Sequence, residues 1–379
     1  MSAKIGVLTS SRADYSIYRP LLARIREETD WTLSLLVFGT HLSGKFGCTE
    51  QEIRKDGFTI EHALDTIPPD DTPAGIAQAM AKTMAAFAPV WQRGGYDLVL
   101  ALGDRYEMFA AVAAALPFNL RVGHIAGGET TLGAIDNAFR HSITHMARLH
   151  FTTAEAYRLR VIELIGQADG VQNTGALSID TLSRTKWIEP AEFKARWGVD
   201  LHEPYILITV HPETVSFERN RDYMREVLSA LRQIRGYRFV VTMPNADTMG
   251  EVIRQQWKAF APTCAAVRLV ENFGTERYVT AMKHCALMLG NTSSGFAEAE
   301  YFPKPVVNLG ERQRGRIVTE NIVNCPFVAA EIVAAVRRAA AMTMRPSSGI
   351  YGRGDAAERI VGLMAEALGT TRRAGRVRV

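Results

Sequence analysis

Short apolar runs rich in Val, Ile and Leu alternate along the chain with longer stretches in which apolar residues recur at helical spacing. Runs without polar alternation read as strands buried on both faces of a parallel sheet. In the first half they fall at residues 5–9, 33–38, 98–102, 122–125 and 149–152, with helical stretches at 17–28, 76–87, 106–115, 138–147 and 154–164 between them. The pattern lapses at 181–204 into a polar stretch bearing Trp and Pro, and resumes with runs at 205–210, 239–243, 267–270, 287–289 and 306–309. Helical stretches at 223–232, 251–260, 278–284 and 296–301 lie among them, and the Ala-rich segments 329–342 and 356–367 close the chain. Strand–helix alternation of this kind predicts an α/β fold of two Rossmann-like parallel-sheet domains facing a cleft. The expected division is 1–185, 186–355, and a terminal helix with a basic tail over 356–379, the helix being free to cross back to the first domain.

Composition narrows the class. With 379 residues, 47% hydrophobic and 22% charged, the chain has enough apolar material for two cores, and disorder is excluded. The formal charge of +4 is small, and Arg372, Arg373, Arg376 and Arg378 form a short terminal run that reads as a solvated end, not a nucleic-acid footprint. Cys48, Cys264, Cys285 and Cys325 fit neither a zinc nor a disulfide spacing, and the first residues carry no signal-peptide or membrane pattern, so a cytoplasmic protein is expected.

In open α/β sheets ligands sit beyond the carboxyl ends of strands, which directs attention to the polar residues that follow each run. Ser10, Ser11 and Arg12 follow the first and offer a guanidinium to an anion; the competing reading is a helix start with Asp14 as N-cap. Asp104, beside Arg105, follows the third, as an acid–base group or as another N-cap. Ala126, Gly127, Gly128 and Glu129 follow the fourth, the glycines permitting close backbone approach to a ligand. Asp136 begins a helix with Arg140 one turn later on the same face. His141 and His145 have metal-compatible spacing but lack the H-E-x-x-H arrangement, so His141 reads as a polar cleft residue or a core histidine.

The second half repeats the arrangement. His211, at a strand end before Pro212, and Asn245 are each structural or functional on local grounds alone. The turn at 290–295 is built of small residues, and with Ser294 as N-cap the N–H groups from Gly295 onward are placed to hold a phosphate. Glu298, four residues on, is not at the capping-box position and is left to accept ribose hydroxyls. Arg312, Arg314 and Arg316 after the last run suit a diphosphate or a solvated loop. Neither a Walker A loop nor G-x-G-x-x-G after the first strand is present, which disfavours an ATPase or an ordinary NAD dehydrogenase.

Taken together, TSSRADYS at 9–16, LGDRYEM at 102–108, HIAGGE at 124–129, AIDNAFRHSITHMARLH at 134–150, TVHPET at 209–214, NAD at 245–247, GNTSSG at 290–295 and GERQRGR at 310–316 resemble the hydrolysing UDP-N-acetylglucosamine 2-epimerases of bacterial sialic-acid synthesis. The resemblance implies a GT-B fold with UDP held mainly by the C-terminal domain. It places Arg12, His211, Ser293 and Ser294 on the diphosphate, Glu298 on the ribose, and uracil near Asn272 and Phe273. Asn245, Gly295 and Arg316 join this substrate-binding group. Asp104, Glu129 and Asp136 match the family's essential carboxylates, and Arg140 and His141 complete the expected catalytic group. A UDP-sugar is the implied substrate, with no cofactor, metal, nucleic acid or membrane partner, in a homo-oligomer. The alternatives are a relative acting on UDP-2,4-diacetamido-2,4,6-trideoxyglucose, a non-hydrolysing epimerase, a GT-B glycosyltransferase and a noncatalytic nucleotide-sugar sensor.

Overall fold

The structure, a computed structural model, describes residues 2–44, 47–244, 249–271 and 273–369. The first sheet contains β1 (Ala3–Thr9), β2 (Trp31–Phe38), β3 (Ile60–Leu64), β4 (Leu98–Leu102), β5 (Val122–Ile125), β6 (Leu149–Thr152) and β7 (Val171–Asn173). All pairings are parallel, in the order β3-β2-β1-β4-β5-β6-β7. The second contains β8 (Tyr205–Thr209), β9 (Arg238–Thr242), β10 (Val267–Val270), β11 (Leu287–Gly290), β12 (Val306–Leu309) and β13 (Ile322–Cys325), parallel in the order β10-β9-β8-β11-β12-β13. Strand order reverses between β1 and β4 and between β8 and β11, and a ligand crevice belongs at such switch points. Among the described residues no helix is long and apolar enough to cross a membrane.

Strands β4, β5, β8, β11 and β12 are buried at every position, and alternate residues of the central strands feed opposite layers. Ile5, Val7, Leu35, Val37, Leu98 and Leu100 pack with Tyr18, Leu21, Leu22 and Ile25 of the Arg12–Arg26 helix. Leu8, Leu36, Val99 and Ala101 face the other way, onto Phe87, Trp91 and Val112. The sequence pattern shows none of β3, β7 and β13. Each lies at or near a sheet edge, is half-exposed and is short, so none carries a continuous apolar run. The polar stretch at 181–204 contains a helix, Pro190–Trp197, with Pro190 at its first turn, Phe193 buried and left-handed Gly198 (φ 65°) ending it.

The Ala356–Leu368 helix packs on the first domain, placing Ile360, Val361, Met364 and Ala365 against the Arg12–Arg26 layer. The Asp180 carboxylate accepts its first two N–H groups, from Ala356 at 3.0 Å and Ala357 at 2.9 Å, and so caps it from outside. Backbone contacts also join the domains along the cleft. Leu132 N–H donates to the Arg314 carbonyl (3.0 Å), Gly133 N–H to the Glu311 carbonyl (3.1 Å) and Ile135 N–H to Thr214 Oγ1 (2.9 Å).

Candidate active site

The strand ends of the first sheet form one bank of the cleft. Ser11, not Asp14, caps the first helix; Asp14 is the third helical residue of a capping box, its carboxylate accepting Ser10 and Ser11 N–H. Burial opposes its charge, but contacts with His41, Thr9 and Ser10 outweigh this and hold the carboxyl below its usual range. Asp104 is likewise not a cap. Arg105 occupies that position before the Tyr106–Ala115 helix, and Asp104 instead accepts a hydrogen bond from Arg140.

Arg140, only 3% exposed, forks between two carboxylates: Nη2 goes to Asp104 and Nη1 to Glu129 Oε2 at 3.2 Å. Burial of Asp104 is outweighed by Arg140, Arg316 and Arg312, which hold its carboxyl below the ordinary range. Glu129 also accepts a hydrogen bond from Thr153 Oγ1 (2.7 Å) and forms an ion pair with Arg316 Nη1 of the other domain (2.6 Å). Asp136 starts the Asp136–Met146 helix, where the positive helix end favours a carboxylate, and lines the same cavity. Behind this bank, fully buried His124 bonds the Gly103 carbonyl through Nε2 (2.8 Å), and burial lowers its pKa to about 3.

The second bank comes from the second sheet. His211 follows β8, and its N–H and carbonyl pair with the side chain of buried Asn291, at 2.7 and 2.9 Å. Gly290 (φ 140°) admits no side chain, since a Cβ there would lie 1.9 Å from the Thr209 carbonyl oxygen. The expected N-cap at Ser294 is not found: residues Ser293–Gly295 form a 3-10 turn and the following helix, Ala297–Tyr301, is only five residues long. Ser294 Oγ pairs instead with Tyr278 Oη (2.6 Å) and Thr292 Oγ1 (3.1 Å). Burial pushes Glu298 above the usual carboxylate range and the Tyr278 hydroxyl up to about 12.

Two adjoining cavities, of about 230 and 290 Å³, run between the banks and share Ala13, Ile17, Ser178, Ser293, Glu298 and Arg312. The first is lined by Asp104, Glu129, Asp136, Arg140 and Arg316, and the second by Arg12, His211, Phe273, Tyr278 and Ser294. The cleft therefore carries acid–base groups at one end, and cations with hydroxyls at the other. His141 lines neither cavity; it sits beside Arg140 with Nε2 buried, and burial and the neighbouring Arg140 charge lower its pKa. Gly295 is buried under Val306 and lines neither cavity. Asn245, Asn272 and the four C-terminal arginines lie outside the described residues. No cluster of three or more metal-ligating side chains occurs among the described residues.

Sequence reasoning did not single out Arg105, Thr153, Ser178, Tyr278 or Gln313. Gln313 and Arg105 lie inside segments noted for their charges, and Ser178 follows a strand too short to register, whereas Tyr278 reads as an ordinary apolar helix position.

Residues 23–365 match the UDP-N-acetylglucosamine 2-epimerase family. The chain belongs to that family. It is 31% identical over 322 residues, 85% of this chain and 84% of the relative, to a Campylobacter jejuni protein named GDP/UDP-N,N'-diacetylbacillosamine 2-epimerase (hydrolyzing). A Legionella pneumophila protein named UDP-N,N'-diacetylbacillosamine 2-epimerase (hydrolyzing) is 30% identical over 364 residues, 96% of each chain. The solved UDP-GlcNAc 2-epimerase from Neisseria meningitidis bound to UDP-GlcNAc superposes with a TM-score of 0.80 over 96% of this chain and 100% of that one, at 18% identity. The epimerase fold is GT-B, and the two parallel sheets described above are its two halves.

Proposed function

We propose that this epimerase-family chain hydrolyses and epimerises a UDP-2-acetamido sugar, converting UDP-N-acetylglucosamine and water to N-acetylmannosamine and UDP. The observation that carries this reading is the division of the cleft. Asp104 and Glu129 share Arg140 at one end, and Arg12, His211 and Ser294 line the other. The reaction needs both ends at once.

A hydrogen on C2 of the sugar is barely acidic, but it becomes removable as the C1–O bond to UDP breaks. One carboxylate of Asp104, Glu129 and Asp136 takes the C2 proton while the C–H electron pair forms the C1=C2 bond and UDP departs with the C1–O pair. The product is a 2-acetamidoglucal. Arg12, His211, Ser293 and Ser294 stabilise the departing diphosphate, Glu298 holds the ribose, and Phe273 lies on the base side. Water then adds at C1 while a carboxylic acid of the same group protonates C2 from the opposite face, releasing the free 2-epimer. The names of both relatives, which include hydrolysis, support this branch over return of UDP to C1.

Those names also favour a second reading in which the sugar is UDP-2,4-diacetamido-2,4,6-trideoxyglucose. Incubation of the protein with each sugar in D2O, followed by NMR, tests both. Free N-acetylmannosamine deuterated at C2 is the expected product. A UDP-linked 2-epimer overturns the hydrolysing branch, turnover of the diacetamido sugar alone selects the second reading, and two unchanged sugars favour a sensor.

A further inference from the structure

We propose that Gln313 is a positioning residue that couples the His211–Asn291 side of the nucleotide cleft to the carboxylates of the opposite domain, acting through Arg316. The proposal rests on the reaction reading above. Gln313 is 2% exposed, and its amide makes two bonds of opposite polarity. Nε2 donates to the Asn291 carbonyl at 2.8 Å, and Oε1 accepts from Arg316 Nε at 2.6 Å. Flipping the amide would set an NH2 against the guanidinium and an oxygen against a carbonyl, so only one orientation satisfies both partners. Glutamate lacks the donor and asparagine the reach.

The consequence lies in the guanidinium plane. With Nε engaged by Gln313, the rigid guanidinium of Arg316 is held with Nη1 2.6 Å from Glu129 Oε2 in the other domain, as an ion pair. On the near side, the Asn291 side chain is fixed to both backbone groups of His211. On the far side, Glu129 shares Arg140 with Asp104. A continuous series of polar contacts thus runs from His211 through Asn291, Gln313, Arg316, Glu129 and Arg140 to Asp104, hydrogen-bonded within each domain and crossing between domains once, by the ion pair of Arg316 and Glu129. A diphosphate seated beside His211 bears directly on the first link of the series. Gln313 is the neutral member that sets where the crossing charge points.

Contiguity alone does not establish coupling, so the test is a cycle of wild type, Gln313→Met, Arg316→Met and the double variant, with Gln313→Ala made alongside in case the methionine protein fails to fold. On whichever of UDP-N-acetylglucosamine and UDP-2,4-diacetamido-2,4,6-trideoxyglucose the wild type turns over, Gln313→Met is expected to lower kcat by about 30-fold while KM changes by less than about threefold. The double variant is expected to match Arg316→Met within about threefold, because nothing is left to position once the guanidinium is gone. Losses that multiply in the double variant, or a loss confined to KM, overturn the proposal. The same cycle read on melting midpoints of the ligand-free proteins needs no substrate: non-additive shifts are expected, and additive shifts overturn the coupling. A wild type that turns over neither sugar therefore defeats the reaction reading alone, and the midpoints still decide the role of Gln313.

Discussion

Half-buried Asp104 and buried Glu129 stay close because one arginine serves both, and this fixes what each substitution does. Replacing either carboxylate, or Asp136, by its amide removes a proton acceptor while every side chain that lines the nucleotide end of the cleft is kept. Asp104→Asn, Glu129→Gln and Asp136→Asn are each expected to lower kcat by more than about a hundredfold, with UDP affinity by calorimetry within about threefold of wild type. Near-normal turnover in all three would remove the carboxylates from the mechanism. Asp104 also sets a pH dependence. Its carboxyl titrates below the ordinary range because Arg140, Arg316 and Arg312 outweigh burial, so the folded form binds its proton later than the unfolded chain does. The stability it contributes is present above the ordinary carboxylate value and is lost as pH falls through the lowered one. A kcat/KM profile should accordingly keep Asp104 ionised down past the usual carboxylate range, and a limb in the neutral region that vanishes in Asp104→Asn would contradict this. At the other end, Ser294→Ala removes a hydroxyl hydrogen-bonded to Tyr278 and is expected to weaken UDP binding by about 1 kcal/mol, roughly fivefold, with kcat little changed.

At the scale of elements, what was legible in the sequence follows burial. The strands β1, β4, β5, β8, β11 and β12 show as apolar runs because both faces of each are covered, and the polar residues just beyond them are the ones that line the cleft. Edge strands β3 and β7 have half-exposed positions and left no run, so Ser178, just after β7, went unnoticed. The role of Asp104 stays open in the sequence for a related reason: a carboxylate at a strand end serves a helix or an ion pair equally well until the partner is known, and Arg140 is 36 residues away from Asp104 in the chain. The same holds for Asp180, whose partners lie 176 and 177 residues on. It substitutes for a local cap on the terminal helix, since Asp355 makes no side-chain capping bond there. Asp180→Ala leaves two buried N–H groups without an acceptor and is expected to cost about 1–3 kcal/mol in denaturant unfolding. An unchanged midpoint would mean that packing of Ile360 and Met364 alone secures the helix.

The whole molecule works only if its two domains meet, because acids and Arg140 belong to one and His211, the Ser293–Ser294 turn and Arg316 to the other. One seam lies between residues 130–135 of the first domain and 311–316 of the second, and at Gly133 backbone meets backbone. A Cβ on Gly133 would lie 2.5 Å from the Glu311 carbonyl carbon and 2.6 Å from Arg312 Cα and N, none of which a side-chain rotation moves. Alanine there must push the seam apart, carrying Arg316 away from Glu129 while leaving each domain's own core intact. A misplacement near 1 Å is enough to cost about a hundredfold in rate when reacting groups sit on opposite walls. Gly133→Ala is therefore expected to lower kcat by about a hundredfold and UDP affinity by less than about tenfold, since His211, Ser293 and Ser294 remain together on one domain. Small-angle scattering with UDP present should give a larger radius of gyration for the variant than for wild type, with melting midpoints close. Equal radii together with full turnover would show that the seam at Gly133 is not formed in the working enzyme, and the closed cleft would no longer account for catalysis.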